Sequence, residues 1–90
     1  MILLITYDLN RPGQNYNDLY EEIKSAGTWW HHLDSTWIIE TQLSPNDWNS
    51  RLRKHMDDND NILIIEICQN YQGWLPEDAW KWLKDRAYRC

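Results

Sequence analysis

The chain has no phenylalanine, only two cysteines, and only three glycines and three prolines among its 90 residues. Two cysteines cannot form the disulfide framework of a small secreted domain, and Cys68 and Cys90 do not make a C-x-x-C pair. We therefore expect no structural disulfide and interpret Cys68 as a small buried apolar residue. The sequence also lacks internal repeats, low-complexity tracts and long linkers.

Long apolar runs and net positive charge are missing as well. No run approaches the roughly 20 apolar residues that cross a bilayer, and the N-terminal run lacks a basic leader and a small-residue cleavage site. We expect a cytoplasmic protein without membrane contact. The net charge of -5 opposes non-specific binding to nucleic acid, because that affinity comes mainly from neutralised phosphates. Basic residues cluster at 51–54 and 81–89, so nucleic acid stays open as a partner.

Apolar and aromatic residues are abundant. Hydrophobic residues make up 42% of the chain and aromatic residues 13%, with seven Trp and five Tyr. This composition is typical of a globular chain and not of a disordered one. Residues 1–90 are expected to form a single domain. A domain this small leaves much of its surface exposed, so a second apolar face would favour a dimer.

Hydrophobic periodicity predicts alternating strands and helices. In chain order we expect a strand at 2–8, a helix over 16–26 that stops at Gly27, two antiparallel strands within 28–41, a helix that starts at 44–47 and a strand at 62–68. Ser44, Pro45 and Asp47 supply the N-cap, first-turn proline and acid of a helix start. A further short helix is predicted in the tail by the spacing of Ala79 and Leu83.

The order β, α, β, β, α, β over residues 1–68 predicts the α+β class, as a ferredoxin-like sandwich. That fold has a four-stranded antiparallel sheet with two helices on one face, and here residues 69–90 add a tail with a short helix. The first and fourth strands are apolar on both faces. The second face needs a cover, either the C-terminal segment, another protomer or both, and we favour a homodimer.

Two short motifs carry a resemblance to a known family. Tyr7-Asp8 closes the first strand on an acid, and Ser35-Thr36-Trp37 opens the third strand within the segment 27–40. Over residues 1–68 this pattern resembles the small CRISPR adaptation nucleases and their VapD-like toxin relatives. The segment Tyr7-Asp8-Leu9-Asn10, with Pro12-Gly13 and Tyr16 after it, is also similar to small bacterial and phage proteins. The resemblance implies a dimer whose strand-end aspartates hold Mg²⁺ for phosphodiester hydrolysis, an endonuclease or endoribonuclease activity. Some members of the CRISPR branch are structural subunits without catalysis.

Asp8 is the first candidate for catalysis and metal binding, since Mg²⁺ prefers carboxylate oxygens. A turn-forming aspartate that caps the following loop is the alternative. Asn10 and Arg11 follow Asp8 and are candidates for binding substrate. Asn10 could bind an oxygen atom of the ligand, and Arg11 could neutralise a phosphate of the substrate. A solvated loop explains both residues equally well.

His31 is a candidate general acid or base because imidazole titrates near neutral pH. Its neighbour His32 is expected on the opposite face of the strand, so the two histidines do not chelate one ion. Ser35 is a candidate substrate-binding residue, against a structural role as the hydroxyl that opens a strand. The residues from His55 to Asp60 are interpreted as a solvated helix end and turn.

Seven tryptophans exceed what one small core can hold, so some are expected at an interface. Trp74, Trp80 and Trp82 in the tail are the candidates for binding a protein. Two functions follow from the sequence. The chain is either a dimer that binds or cleaves nucleic acid, with Asp8 as its metal ligand, or a non-catalytic interaction module that inhibits or regulates a larger complex.

Overall fold

A computed structural model describes residues 1–90 and shows one four-stranded antiparallel sheet with three helices. The elements are β1 (Ile2–Asp8), α1 (Asn17–Lys24), β2 (Thr28–Leu33), β3 (Thr36–Glu40), α2 (Pro45–Arg53), β4 (Asn61–Glu66) and α3 (Glu77–Lys84). The α+β class, the antiparallel sheet and the C-terminal helix predicted from the sequence are confirmed. None of the helices is both long and apolar enough to cross a bilayer.

The strands lie in the order β2-β3-β1-β4, so the N-terminal strand is central and β2 and β4 are the edges. Ile5 of β1 is opposite Trp37 of β3 on one side and Ile64 of β4 on the other. The pairing of β2 with β3 is regular at first and then shifts between Trp30 and Leu33. The edge formed by β4 has no such irregularity.

Local sequence signals explain where the helices begin and end. At the start of α2 the Ser44 hydroxyl accepts a hydrogen bond from the Asp47 amide at 3.1 Å, and the Asp47 carboxylate accepts one from the Ser44 amide at 3.2 Å. This reciprocal pair satisfies donors that a helix start leaves free. Gly27 follows α1 with a φ of 89°, a left-handed conformation that glycine adopts without a steric penalty.

The main core lies between the sheet and the helices α1 and α2. Its buried members are Leu3, Ile5, Tyr7, Tyr16, Leu19, Ile23, Trp37, Ile39, Trp48 and Leu52. The tryptophan N–H groups in this core have partners, since Trp37 Nε1 donates to the Tyr7 hydroxyl at 2.9 Å and Trp48 Nε1 donates to Thr41 Oγ1 at 3.0 Å. Large aromatic residues therefore pack without leaving buried donors unpaired.

The helix α3 covers part of the opposite face of the sheet. Ala79 and Leu83 of α3 pack against Ile2, Trp30 and Ile38 in a second, smaller core. Trp30 Nε1 donates to the Ala79 carbonyl at 3.2 Å. The C-terminal segment, one of the covers that the sequence required, is thus present within the chain. It leaves the side chains of Leu63 and Ile65 on the edge strand β4 exposed.

The expectation that the chain has no disulfide is wrong, because Cys68 and Cys90 are bonded. Sequence spacing alone gave no reason to join two cysteines 22 residues apart. The tail, however, runs back from α3 to the end of β4, where Arg89 makes two hydrogen bonds of 2.6 Å to Glu66. Cys68 follows that strand end and is exposed, not buried. Because stable disulfides are rare in reducing compartments, the cytoplasmic location stays a prediction that this bond does not favour.

Candidate functional site

Asp8 ends the central strand at an open position on the sheet surface. Its side chain is exposed, and it lies opposite Asn61, the first residue of β4. Alternation along β1 directs Asp8 to the same face as Thr6, which is the face that carries α3. A shallow depression joins Asp8 with Thr6, Asn61 and Leu63. The strand-end acid is therefore accessible, as the sequence predicted.

A single chain does not present a metal site around Asp8. No group of three His, Cys, Asp or Glu side chains is close enough to hold one ion. Asp8 offers one carboxylate, whereas Mg²⁺ takes six ligands and is usually held by one or two carboxylates with water or phosphate oxygens. The residues of one protomer thus do not fit a resident Mg²⁺, and the metal role of Asp8 stays a prediction that depends on a second chain.

Asn10 and Arg11 are engaged by the loop that precedes β4. The Asn10 side chain donates to the Asn59 carbonyl at 2.8 Å, and Arg11 forms an ion pair with Asp57 at 3.0 Å. Both side chains remain exposed. Their intramolecular contacts give them a structural role in joining two loops, and a substrate role would have to share the Arg11 guanidinium with Asp57.

Asp60 is the residue that sequence reasoning missed at this end of the sheet. It is only 6% exposed, and it accepts hydrogen bonds from the Asn10 amide at 2.6 Å, the Asp57 amide at 2.8 Å and the Tyr16 hydroxyl at 2.9 Å. The interpretation of Asp60 as part of a solvated turn is wrong. Burial raises the pKa of Asp60, but the three donors outweigh it and hold that pKa below its usual value.

The candidate His31 of the β2–β3 hairpin does not form a catalytic group with Asp8. The His31 ring lies 3.7 Å from the Trp37 ring, on the face of α1 and α2, whereas His32 packs 5.0 Å from Trp30 on the other face. The predicted separation of the two histidines is therefore observed. His31 and Asp8 consequently lie on opposite faces of the sheet, which excludes a shared reaction centre within one chain.

Ser35 is near Asp8 through its backbone. The Ser35 carbonyl accepts hydrogen bonds from the Tyr7 amide at 3.1 Å and from Thr6 Oγ1 at 3.2 Å. These bonds tie the β2–β3 turn to the last residues of β1. The Ser35 residue is exposed and lies at the Asp8 end of the sheet, and its substrate-binding role stays a prediction.

The three tail tryptophans differ in their accessibility. Trp74 is 99% exposed. Trp80 stacks with Tyr71 at 5.9 Å, and Trp82 is covered by the Arg86 guanidinium at 4.7 Å. Only Trp74 is fully free to contact a partner, while Trp80 and Trp82 are half-buried against the second core.

Most of the basic side chains are neutralised within the chain. All nine lysines and arginines except Lys54 and Lys84 lie within 4.0 Å of a carboxylate. The clusters at 51–54 and 81–89 are accordingly interleaved with Glu22, Glu40 and Glu66. Neither cluster forms an uninterrupted positive ridge for phosphates.

Two neighbouring exposed apolar side chains lie on β4. Leu63 is 57% exposed and Ile65 is 41% exposed. They face the same side as Leu4 and Thr6, their partners in register on β1, and the pair Leu63 and Ile65 is called the β4 strip below. It borders the depression beside Asp8. Sequence reasoning anticipated an uncovered apolar face but could not tell which part of it the tail would cover.

Comparison with known proteins gives no further assignment. Neither the protein-family models nor the curated protein sequences contain a match to this chain. The class that fold and site define is an α+β domain with an antiparallel sheet, an accessible strand-end aspartate and a half-covered sheet face.

Proposed function

We propose that the chain is a ferredoxin-like protein that forms a homodimer through the β4 strip, and that the dimer acts on nucleic acid. The element order and the strand order β2-β3-β1-β4 support the ferredoxin-like arrangement. The observation that carries the proposal is the exposed pair Leu63 and Ile65 beside the accessible Asp8.

The β4 strip combines two properties that favour self-association. Its apolar side chains lose contact with water when they are covered, which contributes about 25 cal/mol per Å² of buried apolar area. The edge of β4 also carries backbone N–H and C=O groups without a neighbouring strand, a template for pairing with another chain. A second copy supplies both an apolar surface and an unpaired edge of the same kind.

Self-association about a two-fold axis explains how Asp8 could work as a metal ligand. Asp8 lies on the same sheet face as Leu63 and beside the first residue of β4, so packing these faces of two chains together about a two-fold axis close to Asp8 brings two Asp8 carboxylates to the same interface. Two carboxylates together meet the preference of Mg²⁺ for hard oxygen ligands better than one. Metal-dependent cleavage of a phosphodiester is then an activity of the dimer and not of the monomer.

The dimer is tested by measuring mass in solution. Light scattering at micromolar concentration is expected to give twice the chain mass of 11.0 kDa for the natural sequence and a monomer for Leu63→Asp. Leu33→Asp is the matched control, because Leu33 is 49% exposed but lies on the other edge strand. A monomer at all concentrations, or an equal effect of the two variants, contradicts the interface.

The activity is tested with labelled RNA and DNA, each incubated with Mg²⁺ or with a chelator. Cleavage that requires Mg²⁺ is expected, and it should disappear in Asp8→Ala. Asp34→Ala is the control, since Asp34 is exposed at the neighbouring hairpin turn. Cleavage that persists in Asp8→Ala removes Asp8 from the mechanism, and binding without cleavage identifies a structural role.

A second candidate function is that of a non-catalytic protein-interaction module. The pairing of nearly all basic side chains with acids and the complete exposure of Trp74 favour it. Tryptophan at an exposed position is a frequent energetic centre of protein interfaces. Capture of a partner by the natural chain but not by Trp74→Ser, with Trp29→Ser as control, supports this function. Equal capture by both variants excludes Trp74 as the contact.

A further inference from the structure

A groove separate from Asp8 lies between the second face of the sheet, the connection 67–76 and α3. Its volume is about 300 Å³, at the lower end of the range found for small-molecule sites. The lining includes Leu4 and Trp30 of the sheet, Asn70, Tyr71 and Gln72 of the connection, and Trp80 of α3.

The lining determines the chemistry of a bound molecule. Nine of the eleven lining residues are hydrophobic, and none is ionisable apart from the Tyr71 hydroxyl and Cys68, whose sulfur is in the disulfide. A charged molecule would lose its hydration here without a compensating partner. The side chains of Asn70 and Gln72 provide donors and acceptors for one neutral polar group. The groove therefore selects an uncharged occupant.

Aromatic walls restrict the shape of that occupant. Trp30 is buried in the floor, with its Nε1 held by the Ala79 carbonyl at 3.2 Å. Trp80 and Tyr71 stand at the side, with ring planes inclined by 29°. Because π-systems favour offset-stacked or edge-to-face contacts, these rings suit a flat aromatic molecule better than a branched aliphatic one.

The covalent and polar contacts around the groove keep it open in the free protein. Cys68 lines the groove and is bonded to Cys90, and the Tyr88 hydroxyl donates to the Leu83 carbonyl at 2.7 Å. The connection 67–76 contains no helix or strand. It is attached by the Cys68–Cys90 bond, by the Ile67 amide, which donates to the Ile2 carbonyl at 2.9 Å, and by the stacking of Tyr71 on Trp80. A groove held in this way needs little ordering when it binds a ligand.

We propose that this groove binds a small, uncharged, flat aromatic molecule. The molecule packs on Leu4 and Trp30 beside Trp80, and Asn70 or Gln72 hydrogen-bonds its polar group. This site is independent of the proposed nucleic-acid function, because it shares no residue with the depression around Asp8.

Fluorescence titration with N-phenylnaphthylamine, an uncharged aromatic probe, tests the proposal on the oxidised full chain. We expect saturable binding of one probe per chain. Leu4→Phe fills the groove and should weaken binding by about tenfold or more, the effect of a steric conflict of about 1.4 kcal/mol. Leu33→Phe, at an exposed leucine of the other edge strand that does not line the groove, is the matched control and should bind as the natural chain does. Non-saturable binding, or equal binding by the two variants, overturns the proposal.

A second variant covers the case in which Leu4→Phe does not fold, as judged by circular dichroism. Leu75→Trp enlarges a side chain of the connection and fills the same groove without changing the central strand. It should weaken binding of the neutral probe in the same way. The anionic probe anilinonaphthalene sulfonate should bind the natural chain more weakly than the neutral probe, and tighter binding of the anion contradicts the proposed selectivity.

Discussion

The carboxylate of Asp60 accepts hydrogen bonds from Asn10 and Tyr16, which are more than 40 residues away in sequence, and from Asp57 in its own loop. Two of these donors are backbone amides of loops that have no regular secondary structure. Buried charge is stable only when its oxygens are paired. Asp60 therefore fixes the loop after Asp8 against the start of β4, and it positions the accessible acid without contacting it.

We expect Asp60→Asn to destabilise the fold by about 2 kcal/mol, the usual cost of losing hydrogen bonds to a charged acceptor. The amide that replaces one oxygen donates where the Asn10 and Asp57 amides also donate, so at least one buried donor loses its partner. Urea denaturation measures the change. Asp58→Asn is the control, because Asp58 is exposed, and an equal loss in both variants would contradict the structural role of Asp60.

Residue-level prediction from sequence was limited by distance in the chain. The acid at the end of β1 was recognisable because one strand pattern contains it, and its exposure follows from the strand ending there. The role of Asp60 was not recognisable, because Tyr16 and Asn10 become its partners only after α1 and the loop are folded against β4. A run of acidic residues and asparagines is interpreted as solvated when the hydrogen-bond donors that pair with its carboxylates cannot be identified from the sequence.

At the scale of elements, α3 and the residues that follow it form a separately attached unit. The helix contributes two of the five residues of the second core, Ala79 and Leu83. Beyond the helix, Arg86 forms an ion pair with Glu40 at 3.0 Å, and Arg89 forms one with Glu66. The Cys68–Cys90 disulfide also attaches the end of the chain to the sheet. The small apolar contact area is thus supplemented by polar and covalent attachments.

We expect Cys90→Ser to destabilise the chain by about 3 kcal/mol, the loop-closure value for a disulfide of this span. Amide hydrogen exchange should accelerate more in α3 than in β1 when the variant is compared with the natural chain, since the disulfide holds only the tail. Urea denaturation and hydrogen exchange measure both effects. The natural chain treated with a dithiol reductant, which converts the bond to two thiols and is itself oxidised, should match the variant. Unchanged exchange in α3 after reduction contradicts this attachment.

The elements themselves were largely predictable, and their attachments were not. Periodicity located all four strands and three helices, and the capping box at Ser44 marked the start of α2. The disulfide escaped prediction because it depends on the path of the tail across the sheet. The sequence did not decide whether the tail, a second protomer or both cover the second face of the sheet. An apolar pattern indicates that a face is buried, but it does not indicate which segment buries it.

At the scale of the whole molecule, paired carboxylates link stability to pH. Hydrogen bonds from Arg89 hold the pKa of Glu66 below its usual value, and the donors around Asp60 do the same against the opposing effect of burial. A group with a lowered folded pKa stabilises the fold above its unfolded pKa of about 4. That stabilisation is lost as the pH falls through the pKa that the carboxylate has in the folded state.

The melting temperature is accordingly expected to fall as the pH is lowered from 5 to 2, because the unfolded state then binds more protons than the folded state. Glu66→Gln should reduce the slope of this decline, since it removes one of the linked groups. Thermal denaturation followed by circular dichroism at several pH values measures the profile. A variant profile parallel to that of the natural chain contradicts the contribution of Glu66.

The two edges of the sheet differ in a way that limits how many copies can assemble. The β2 edge loses its regular register between Trp30 and Leu33, whereas β4 is regular along its length. Irregular edges resist the addition of another strand. If only one edge accepts a second chain, growth stops at two copies, because head-to-tail polymerisation needs two compatible edges on each molecule. The irregular pairing of β2 thus leaves β4 as the one regular edge of the sheet, a shape that fits two copies and not a fibre.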